Sequence, residues 1–329
     1  MSQNPMISVI MPVYNQQELV GTAIESILSQ TYEDFEFIII DDGSTDNSLK
    51  VIQSYQDARI RVIWGKGNRK LVPALNDGIQ SARGKYLARM DSDDISLPMR
   101  FEEQIKYMEE HPSVDVCGTY FRTIGLAVDY VQRYPFDNED IKMAMIFFCP
   151  LAHPTVMIRR STMFEKGLSY DKEFSYAEDY ELWSRMSAVG CNFHNIPRVL
   201  LRYRMSESHI SSVHGERQRQ LTHRIVARNF VEFGVKEQDV QPLLNESHTR
   251  STIKEAARVF DLLFGINQTR RAYNKSKFDK SVSSAKFRFL SEYLDLGGDL
   301  LSCVGRKDVF SQPISFLRLL LKIFLFHAR

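Results

Sequence analysis

The chain has 329 residues, of which 43% are hydrophobic and 25% are charged, and its formal net charge is +1. These values are typical of a soluble globular protein and exclude a disordered or collagen-like chain. A polytopic membrane protein is also excluded, because no run reaches the roughly 20 uncharged apolar residues that each membrane span needs. The charge is unevenly distributed along the chain: residues 1–199 carry 20 Lys/Arg and 28 Asp/Glu, whereas residues 200–329 carry 22 Lys/Arg and 13 Asp/Glu. The basic second part favours an anionic partner such as lipid or nucleic acid.

The first 120 residues alternate between short apolar, β-branched runs and segments with helical periodicity. The apolar runs predict buried strands, at Ile7–Val13, Phe35–Ile40, Ile60–Trp64, Tyr86–Met90 and Val114–Thr119. The periodic segments predict helices, at Glu18–Ser29, around Leu49–Tyr55, at Val72–Ala82 and at Met99–Glu110. This alternation indicates βαβ units and a parallel sheet, in which ligands bind outside the carboxyl ends of the strands.

Beyond residue 120 the periodicity is weaker. Two strands and one helix are predicted, at Thr155–Arg159, Arg198–Tyr203 and Asp179–Ala188. From about Glu207 the sequence is mainly helical and rich in arginine. We therefore divide the chain into an α/β domain at 1–205 and a mainly helical, basic C-terminal region at 206–329.

The four cysteines lie far apart and form no CxxC pair: Cys117, Cys149, Cys191 and Cys303. Neither a zinc knuckle, a redox dithiol nor a disulfide framework is therefore expected. The N-terminus lacks the basic segment and the long apolar run of a signal peptide. We expect a protein of the reducing cytoplasm.

The run Asp91-Ser92-Asp93-Asp94 directly follows the fourth predicted strand. Carboxylates packed at a strand end repel one another, and a hard divalent cation such as Mg²⁺ or Mn²⁺ offsets that repulsion. The same run also suits a solvated loop that caps the next helix. Its position at the end of a strand favours the metal site.

The segment Asp41–Asp46, with the sequence DDGSTD, follows the second predicted strand. Its residue types suit helix caps and a glycine turn. Two carboxylates at this edge of a sheet can equally accept hydrogen bonds from a base or a ribose.

Glu178 and Asp179 precede an amphipathic helix, where acidic residues usually offset the helix dipole. A carboxylate is also a common general base. His153 lies between two prolines, and a single histidine in such a place is more often structural than catalytic.

Three common motifs are absent from the sequence. It contains no GxGxxG, no GxxxxGK[ST] and no GxSxG. A nicotinamide dehydrogenase, a P-loop enzyme and an α/β-hydrolase are therefore not expected.

Several short motifs occur in a characteristic order. They are SVIMPVYN at 8–15, SILSQTY at 26–32, DDGSTD at 41–46, NDGI at 76–79, GKY at 84–86, DSDD at 91–94 and ED at 178–179. This ordered set resembles the family-two glycosyltransferases, over roughly residues 6–205. The resemblance implies a GT-A fold, with a mostly parallel central sheet flanked by helices and, here, a helical C-terminal extension.

The resemblance also implies a role for each motif. Residues 1–120 would bind the nucleotide-sugar and residues 121–205 would face the acceptor. Donor contacts are expected from Pro12, Val13, Tyr14, Asn15, Glu18, Asp42, Asp91 and Ser92, with Asp42 reading the base. Asp93 and Asp91 match the metal-binding DxD motif, and Asp94 is an extra acid beside it. Asp179 matches the catalytic base, with Glu178 as its neighbour, and His153 is expected near the sugar or the diphosphate.

The implied activity is that of an inverting hexosyltransferase that uses Mn²⁺ or Mg²⁺. It would move a sugar from a nucleotide-sugar donor, a UDP-sugar by our interpretation, to a glycan or a polyprenyl-diphosphate-linked acceptor in O-antigen or capsule assembly. Two alternatives remain at this point, a nucleotidyltransferase that makes nucleotide-sugars and a catalytically silent protein that binds glycans or nucleotides on the same scaffold. Nucleic acid is not an expected partner, because the basic stretches lack interleaved stacking aromatics.

The last 17 residues, Pro313–Arg329, are apolar with sparse cations. Arg318, Lys322 and Arg329 share one helical face, which is typical of an amphipathic helix on an anionic membrane surface. The alternative is a terminal helix packed on the globular core. We expect a peripheral protein on the inner face of the plasma membrane.

Overall fold

A computed structural model of the chain describes residues 4–65, 67–125, 129–205, 215–244 and 249–291. Its residues form two compact units, which divide the chain into 1–141 with 149–218 and 142–148 with 219–329. The first unit holds the sheet, and the second is helical where it is described.

The described residues contribute nine strands to one sheet. These strands are β1 (Ile7–Val13), β2 (Phe35–Asp41), β3 (Ile60–Trp64), β4 (Tyr86–Arg89), β5 (Ile95–Ser96), β6 (Val116–Ile124), β7 (Val131–Gln132), β8 (Met157–Arg159) and β9 (Phe193–Arg204). Their order is β3-β2-β1-β4-β8-β6-β9-β5, and β7 pairs with β6. Strands β5, β7 and β8 run against the other six, so the sheet is mostly parallel, as predicted.

Ten α-helices are described along the chain. They are α1 (Val20–Leu28), α2 (Ser48–Gln53), α3 (Leu71–Ser81), α4 (Arg100–Glu110), α5 (Asn138–Met145), α6 (Arg160–Glu165), α7 (Glu178–Ala188), α8 (Gly215–Phe233), α9 (Arg250–Arg270) and α10 (Lys275–Ser291). Short 3₁₀ segments span His153–Thr155, Lys172–Phe174 and Glu237–Leu244. None of the described helices is long and apolar enough to cross a bilayer.

The central strands are buried on both faces, which explains their continuous apolar sequences. All seven residues of β2 are buried. Because side chains alternate along a strand, Phe37 and Ile39 join the core cluster that includes residues of α1 and α4. On the other face Gly78 of α3 approaches β1 and β2 so closely that a Cβ there would lie 2.5 Å from Ile10 Cγ2 and 3.0 Å from Ile40 Cδ1.

The second unit buries aromatic rings between its helices. Phe230 of α8 meets Phe260 of α9 edge to face, with 5.3 Å between ring centroids. Lys286 of α10 is fully buried, and its ammonium lies 2.6 Å from the Asp261 carboxylate. The predicted helical character of this region is thus confirmed for its described part, whereas the predicted helix at 313–329 lies outside the described residues.

The element boundaries differ from prediction where contacts distant in sequence decide them. The predicted strand at Thr155–Arg159 is reduced to β8, because His153–Thr155 forms a 3₁₀ turn in which Pro154 has no amide to donate to a ladder. Strand β6 extends to Ile124 and β9 begins at Phe193, because these two strands pair with each other along most of their length.

A buried carboxylate ties the central strands together at the amino-terminal edge of the sheet. Glu36 is 3% exposed and accepts hydrogen bonds from Ser8 Oγ at 2.7 Å and from the Arg83 amide at 2.8 Å. The guanidinium groups of Arg83 and Arg61 also bind it. Burial alone favours the neutral acid, but these hydrogen bonds outweigh it and lower the pKa of Glu36 to about 2.

Replacing Glu36 with glutamine is expected to lower the free energy of unfolding by about 1–3 kcal/mol at pH 7, because the surrounding donors lose a charged acceptor. The folded-state pKa of Glu36 lies below its ordinary value of 4.5. The stabilisation is therefore complete above that pH and is lost as the pH falls toward 2. Urea unfolding of both proteins between pH 3 and 8 measures the difference. If the free energies of unfolding of the wild type and Glu36→Gln differed by the same amount at every pH in this range, the role of the Glu36 charge would be contradicted. Glu165→Gln, at an exposed position, serves as the control.

Candidate active site

A cavity of about 630 Å³ lies at the carboxyl ends of β1, β2 and β4, a size typical of small-ligand sites. Ten of the twelve residues predicted for the site line it. They are Pro12, Val13, Tyr14, Asp42, Asp91, Ser92, Asp93, His153, Glu178 and Asp179. Residues separated by more than 160 positions in the sequence thus meet in one cavity.

The other two predicted residues, Asn15 and Glu18, lie outside the cavity lining. Asn15 has a left-handed backbone with φ of 51°. Its amide donates to Ser44 Oγ at 3.0 Å, and its Oδ1 accepts from the Thr45 amide at 2.8 Å. Asn15 therefore holds the loop after β1 against the loop after β2. Glu18 is exposed and accepts a hydrogen bond from Gln17.

One end of the cavity contains the buried carboxylate of Asp42. Its Oδ2 accepts a hydrogen bond from the Lys70 amide at 2.7 Å. Lys70 has φ of 75°, an unfavourable conformation for a side-chain-bearing residue, which this hydrogen bond helps to maintain. No described residue donates a hydrogen bond to Asp42 Oδ1, and Arg69 Nε lies 3.8 Å away. One carboxylate oxygen is therefore available to a donor group of a ligand.

An acidic cluster of Asp91, Asp93 and Asp94 follows β4. One carboxylate oxygen of each residue lies within 4.8 Å of the others. The Asp94 Oδ1 accepts from the Arg204 amide at 2.8 Å, which fixes the turn against β9. Its buried Oδ2 accepts no hydrogen bond from any described residue.

The electrostatics of this acidic cluster suit a divalent cation. Burial and repulsion from Asp91 raise the pKa of Asp93 to about 6. Burial, together with repulsion from Asp91 and Asp93, raises the pKa of Asp94 well above its ordinary value. A cation bound among these oxygens would remove the repulsion, and a set of oxygen ligands alone suits Mg²⁺ or Mn²⁺. The three residues therefore fit the predicted metal, with Asp94 as a third potential ligand.

Two arginines that the sequence analysis did not single out lie behind the acidic cluster. Arg89 is 5% exposed, and its guanidinium forms an ion pair with Asp91. Arg100 is fully buried and donates from Nη2 to the Arg89 carbonyl at 2.8 Å. Burial and the charge of Arg89 lower the pKa of Arg100 to about 9. Both arginines occur in amphipathic or strand-like sequence, where no local signal marks them as part of a site.

Glu178 and Asp179 line the cavity from the start of α7. Glu178 Oε2 accepts from the Tyr176 amide at 2.6 Å. Asp179 Oδ2 lies 3.6 Å from the Cys149 thiol, which donates to it. Burial raises the pKa of both acids, and repulsion from Asp179 contributes to bringing that of Glu178 to about 7. The raised pKa values give these carboxylates a higher proton affinity, which is suited to general-base catalysis.

His153 is a buried side chain with a defined partner. Its Nε2 lies 2.7 Å from the Tyr170 hydroxyl, and Tyr170 is fixed by two backbone hydrogen bonds to the Asn76 side chain. Burial and the charge of Arg89 lower the pKa of His153 well below its ordinary value, so the imidazole is neutral at pH 7. It lines the cavity as a neutral group.

Comparison with known proteins identifies the family. Residues 8–169 match the model of glycosyl transferase family 2. An uncharacterised glycosyltransferase of Haemophilus influenzae is 35% identical over 241 residues, which cover 70% of this chain and 74% of that protein. The chain belongs to glycosyltransferase family 2. This membership makes it a glycosyltransferase and replaces the nucleotidyltransferase alternative.

Two further similarities concern a relative and the fold. The O-antigen biosynthesis glycosyltransferase WbnJ of Escherichia coli is 36% identical over 206 residues, which cover 61% of this chain and 80% of that protein. The structure of S. aureus TarS 1–349 in complex with UDP-GlcNAc has a TM-score of 0.60 and 16% identity, and the match covers 93% of this chain and 92% of TarS 1–349. The predicted GT-A fold is confirmed.

Replacing Asp93 with asparagine is expected to weaken UDP binding in the presence of Mn²⁺ by at least about tenfold, as the loss of a metal ligand implies. The melting temperature without metal should stay the same or rise, because one of three repelling charges is removed. Titration calorimetry with UDP and Mn²⁺ and a thermal melt measure the two effects. The exposed Asp129→Asn is the matched control. Unchanged metal-dependent affinity would contradict the role of Asp93.

Proposed function

We propose that this glycosyltransferase moves a sugar, with inversion, from a UDP-sugar to a hydroxyl of a glycan or polyprenyl-diphosphate-linked acceptor in cell-surface polysaccharide assembly. The observation that carries the proposal is one cavity with three separated functions. In that cavity Asp42 offers an acceptor oxygen, the acidic cluster provides a metal site, and the Glu178–Asp179 pair offers a base.

The arrangement at Asp42 supports uracil as the base of the donor. Asp42 Oδ2 accepts a hydrogen bond from the Lys70 amide, whereas Oδ1 accepts none from any described residue. Uracil presents a single ring N–H donor, which matches this one unpaired oxygen. Guanine presents adjacent N–H groups that pair best with two unpaired oxygens of a carboxylate.

The acidic cluster supports binding of the donor diphosphate. Asp93 and Asp91 would hold Mn²⁺ or Mg²⁺, with Asp94 beside them. When bound, the cation neutralises charge on the diphosphate and so makes the nucleoside diphosphate a better leaving group. Arg89 holds the Asp91 carboxylate in place through their ion pair.

Asp179 is the proposed general base, with Glu178 in a supporting role. Glu178 is only 6% exposed and its Oε2 is occupied by the Tyr176 amide. Asp179 is less buried, and its Oδ2 meets only the weak thiol donor of Cys149. A raised pKa gives Asp179 the proton affinity that a base requires.

The transfer then takes place in one displacement. The acceptor oxygen forms a bond to the anomeric carbon while the bond from that carbon to the diphosphate oxygen breaks. The acceptor proton passes to Asp179, and the nucleoside diphosphate leaves from the opposite face. One displacement inverts the anomeric configuration.

The polysaccharide assignment is supported by a relative, and the membrane location is supported by the sequence of residues 313–329. WbnJ, a relative at 36% identity, is named for O-antigen biosynthesis. The amphipathic segment at 313–329 lies outside the described residues, and its apolar residues and three cations support attachment to an anionic inner-membrane surface. Such attachment would raise the local concentration of a lipid-linked acceptor.

Replacing Asp179 with asparagine is expected to lower kcat for UDP release by at least about 100-fold, the lower range of a general-base contribution. UDP affinity should stay within about twofold, because Asp179 belongs neither to the acidic cluster nor to the arrangement around Asp42. UDP release from a panel of UDP-sugars, in the presence of lipid-linked glycans extracted from membranes, measures the rate.

Glu178→Gln is the matched variant and should reduce kcat less than Asp179→Asn. In the wild type, turnover should fall as the pH drops, and it should do so at a higher pH than an ordinary aspartate would give, because burial raises the pKa of Asp179. A larger loss with Glu178→Gln would reverse the two roles.

Truncation after Gln312 is expected to abolish flotation of the protein on vesicles that contain anionic lipid, because the cations and apolar residues of 313–329 are removed. UDP binding should persist, since every proposed site residue precedes residue 205. Flotation of the full chain on neutral vesicles is the control. If the full chain fails to float on anionic vesicles, or if truncation unfolds it, the membrane assignment is wrong.

A further inference from the structure

Three aromatic side chains form one wall of the cavity, here called the aromatic wall. Phe121 lies on β6, Tyr203 lies on β9, and Tyr134 follows β7. The Phe121 ring centroid lies 4.8 Å from that of Tyr203 and 6.4 Å from that of Tyr134. Phe121 is 7% exposed, whereas both tyrosines are only partly buried and can present ring surface to a ligand.

The backbone is irregular where it presents this wall. The pairing of β6 with β9 shifts register between Thr119 and Tyr120 and again between Tyr120 and Phe121. Such irregularities redirect side chains and are common beside active sites.

The aromatic wall extends from the acidic cluster to the proposed base. Tyr203 directly precedes Arg204, whose amide donates to Asp94 Oδ1 at 2.8 Å. Tyr134 directly precedes Pro135, and the Asn195 side-chain amide donates both to the Pro135 carbonyl at 2.7 Å and to the Pro150 carbonyl at 3.0 Å, next to Cys149, whose thiol lies 3.6 Å from Asp179 Oδ2. Tyr203 therefore belongs to the end that holds the acids, and Tyr134 to the end that holds Asp179 and Cys149.

We infer that the aromatic wall is the acceptor subsite. The sugar unit that binds there is a pyranose, whose apolar C–H face stacks on the Tyr134 ring. The inference rests on the proposed function, because the position of the base identifies which sugar lies there. The acceptor hydroxyl must reach Asp179 to lose its proton, and Tyr134 is the member of the aromatic wall on the side of Cys149 and Asp179. The donor nucleotide occupies the other end, beside Asp42.

The C–H face of a pyranose and the face of the Tyr134 ring have complementary charge. One face of a pyranose carries axial C–H groups with slight positive charge, and the face of an aromatic ring carries slight negative charge. The hydroxyls of the sugar project from the ring edge, where Asp179 and Glu178 can accept hydrogen bonds from them. A tyrosine ring suits this position because it combines an apolar face with a polar tip.

Saturation-transfer NMR on the full-length protein tests the inference. The probes are methyl pyranosides of glucose, galactose, mannose and N-acetylglucosamine, titrated in the presence of UDP and Mg²⁺, with the UDP signal recorded in the same sample. At least one glycoside should bind the wild type, with the strongest transfer to the protons of one ring face. Tyr134→Leu should weaken its binding by about fivefold or more, and Tyr134→Phe should retain it, because the ring provides the stacking.

Phe136→Leu is the matched control, since Phe136 is 52% exposed, lies two residues away and does not line the cavity. It should bind both UDP and glycoside like the wild type. If UDP binds and no glycoside does, or if Tyr134→Leu binds glycoside normally, the acceptor subsite is wrong while the donor site stands. If Tyr134→Phe and Tyr134→Leu reduced the affinity for the glycoside equally, the stacking role of the Tyr134 ring would also be overturned. If UDP itself fails to bind the wild type, the proposed function fails.

Discussion

Like charges crowded into a buried turn are the constraint around which this site is organised. Asp91, Asp93 and Asp94 follow a buried strand, and burial makes their repulsion more costly than it would be in water. The fold offsets part of that cost with Arg89, which pairs with Asp91, and with Arg100, which binds the Arg89 carbonyl. The remaining charge would favour a divalent cation in this turn.

Repulsion between neighbouring buried acids also acts at Glu178 and Asp179, where it has a different outcome. Glu178 and Asp179 are also adjacent buried acids, but no third carboxylate joins them among the described residues close enough to share a metal. Burial there raises proton affinity, which suits a base. Two acidic motifs of similar composition thus acquire different chemistry, because one is a cluster of three beside two arginines and the other begins a helix beside a weak thiol donor.

Much of the fold was predictable because each central strand is buried on both faces and each following helix is amphipathic. The strands at Ile7–Val13 and Ile60–Trp64 match their predicted boundaries. The short strands β5 and β7 were not predicted, because two residues have no periodicity to recognise and exist as strands only through their partners β9 and β6. The role of Asn15 in linking two loops, rather than lining the cavity, was likewise invisible in a local motif.

The sequence by itself determined the class of fold and most of the candidate site, because residues that directly follow parallel strands must meet at one edge of the sheet. Pro12, Asp42 and Asp93 are local to such strand ends. Only the tertiary structure decided the buried arginine behind the acids, the unpaired oxygen of Asp42 and the aromatic wall. These features depend on burial and on contacts between β6, β7 and β9, and neither leaves a periodic trace in the chain.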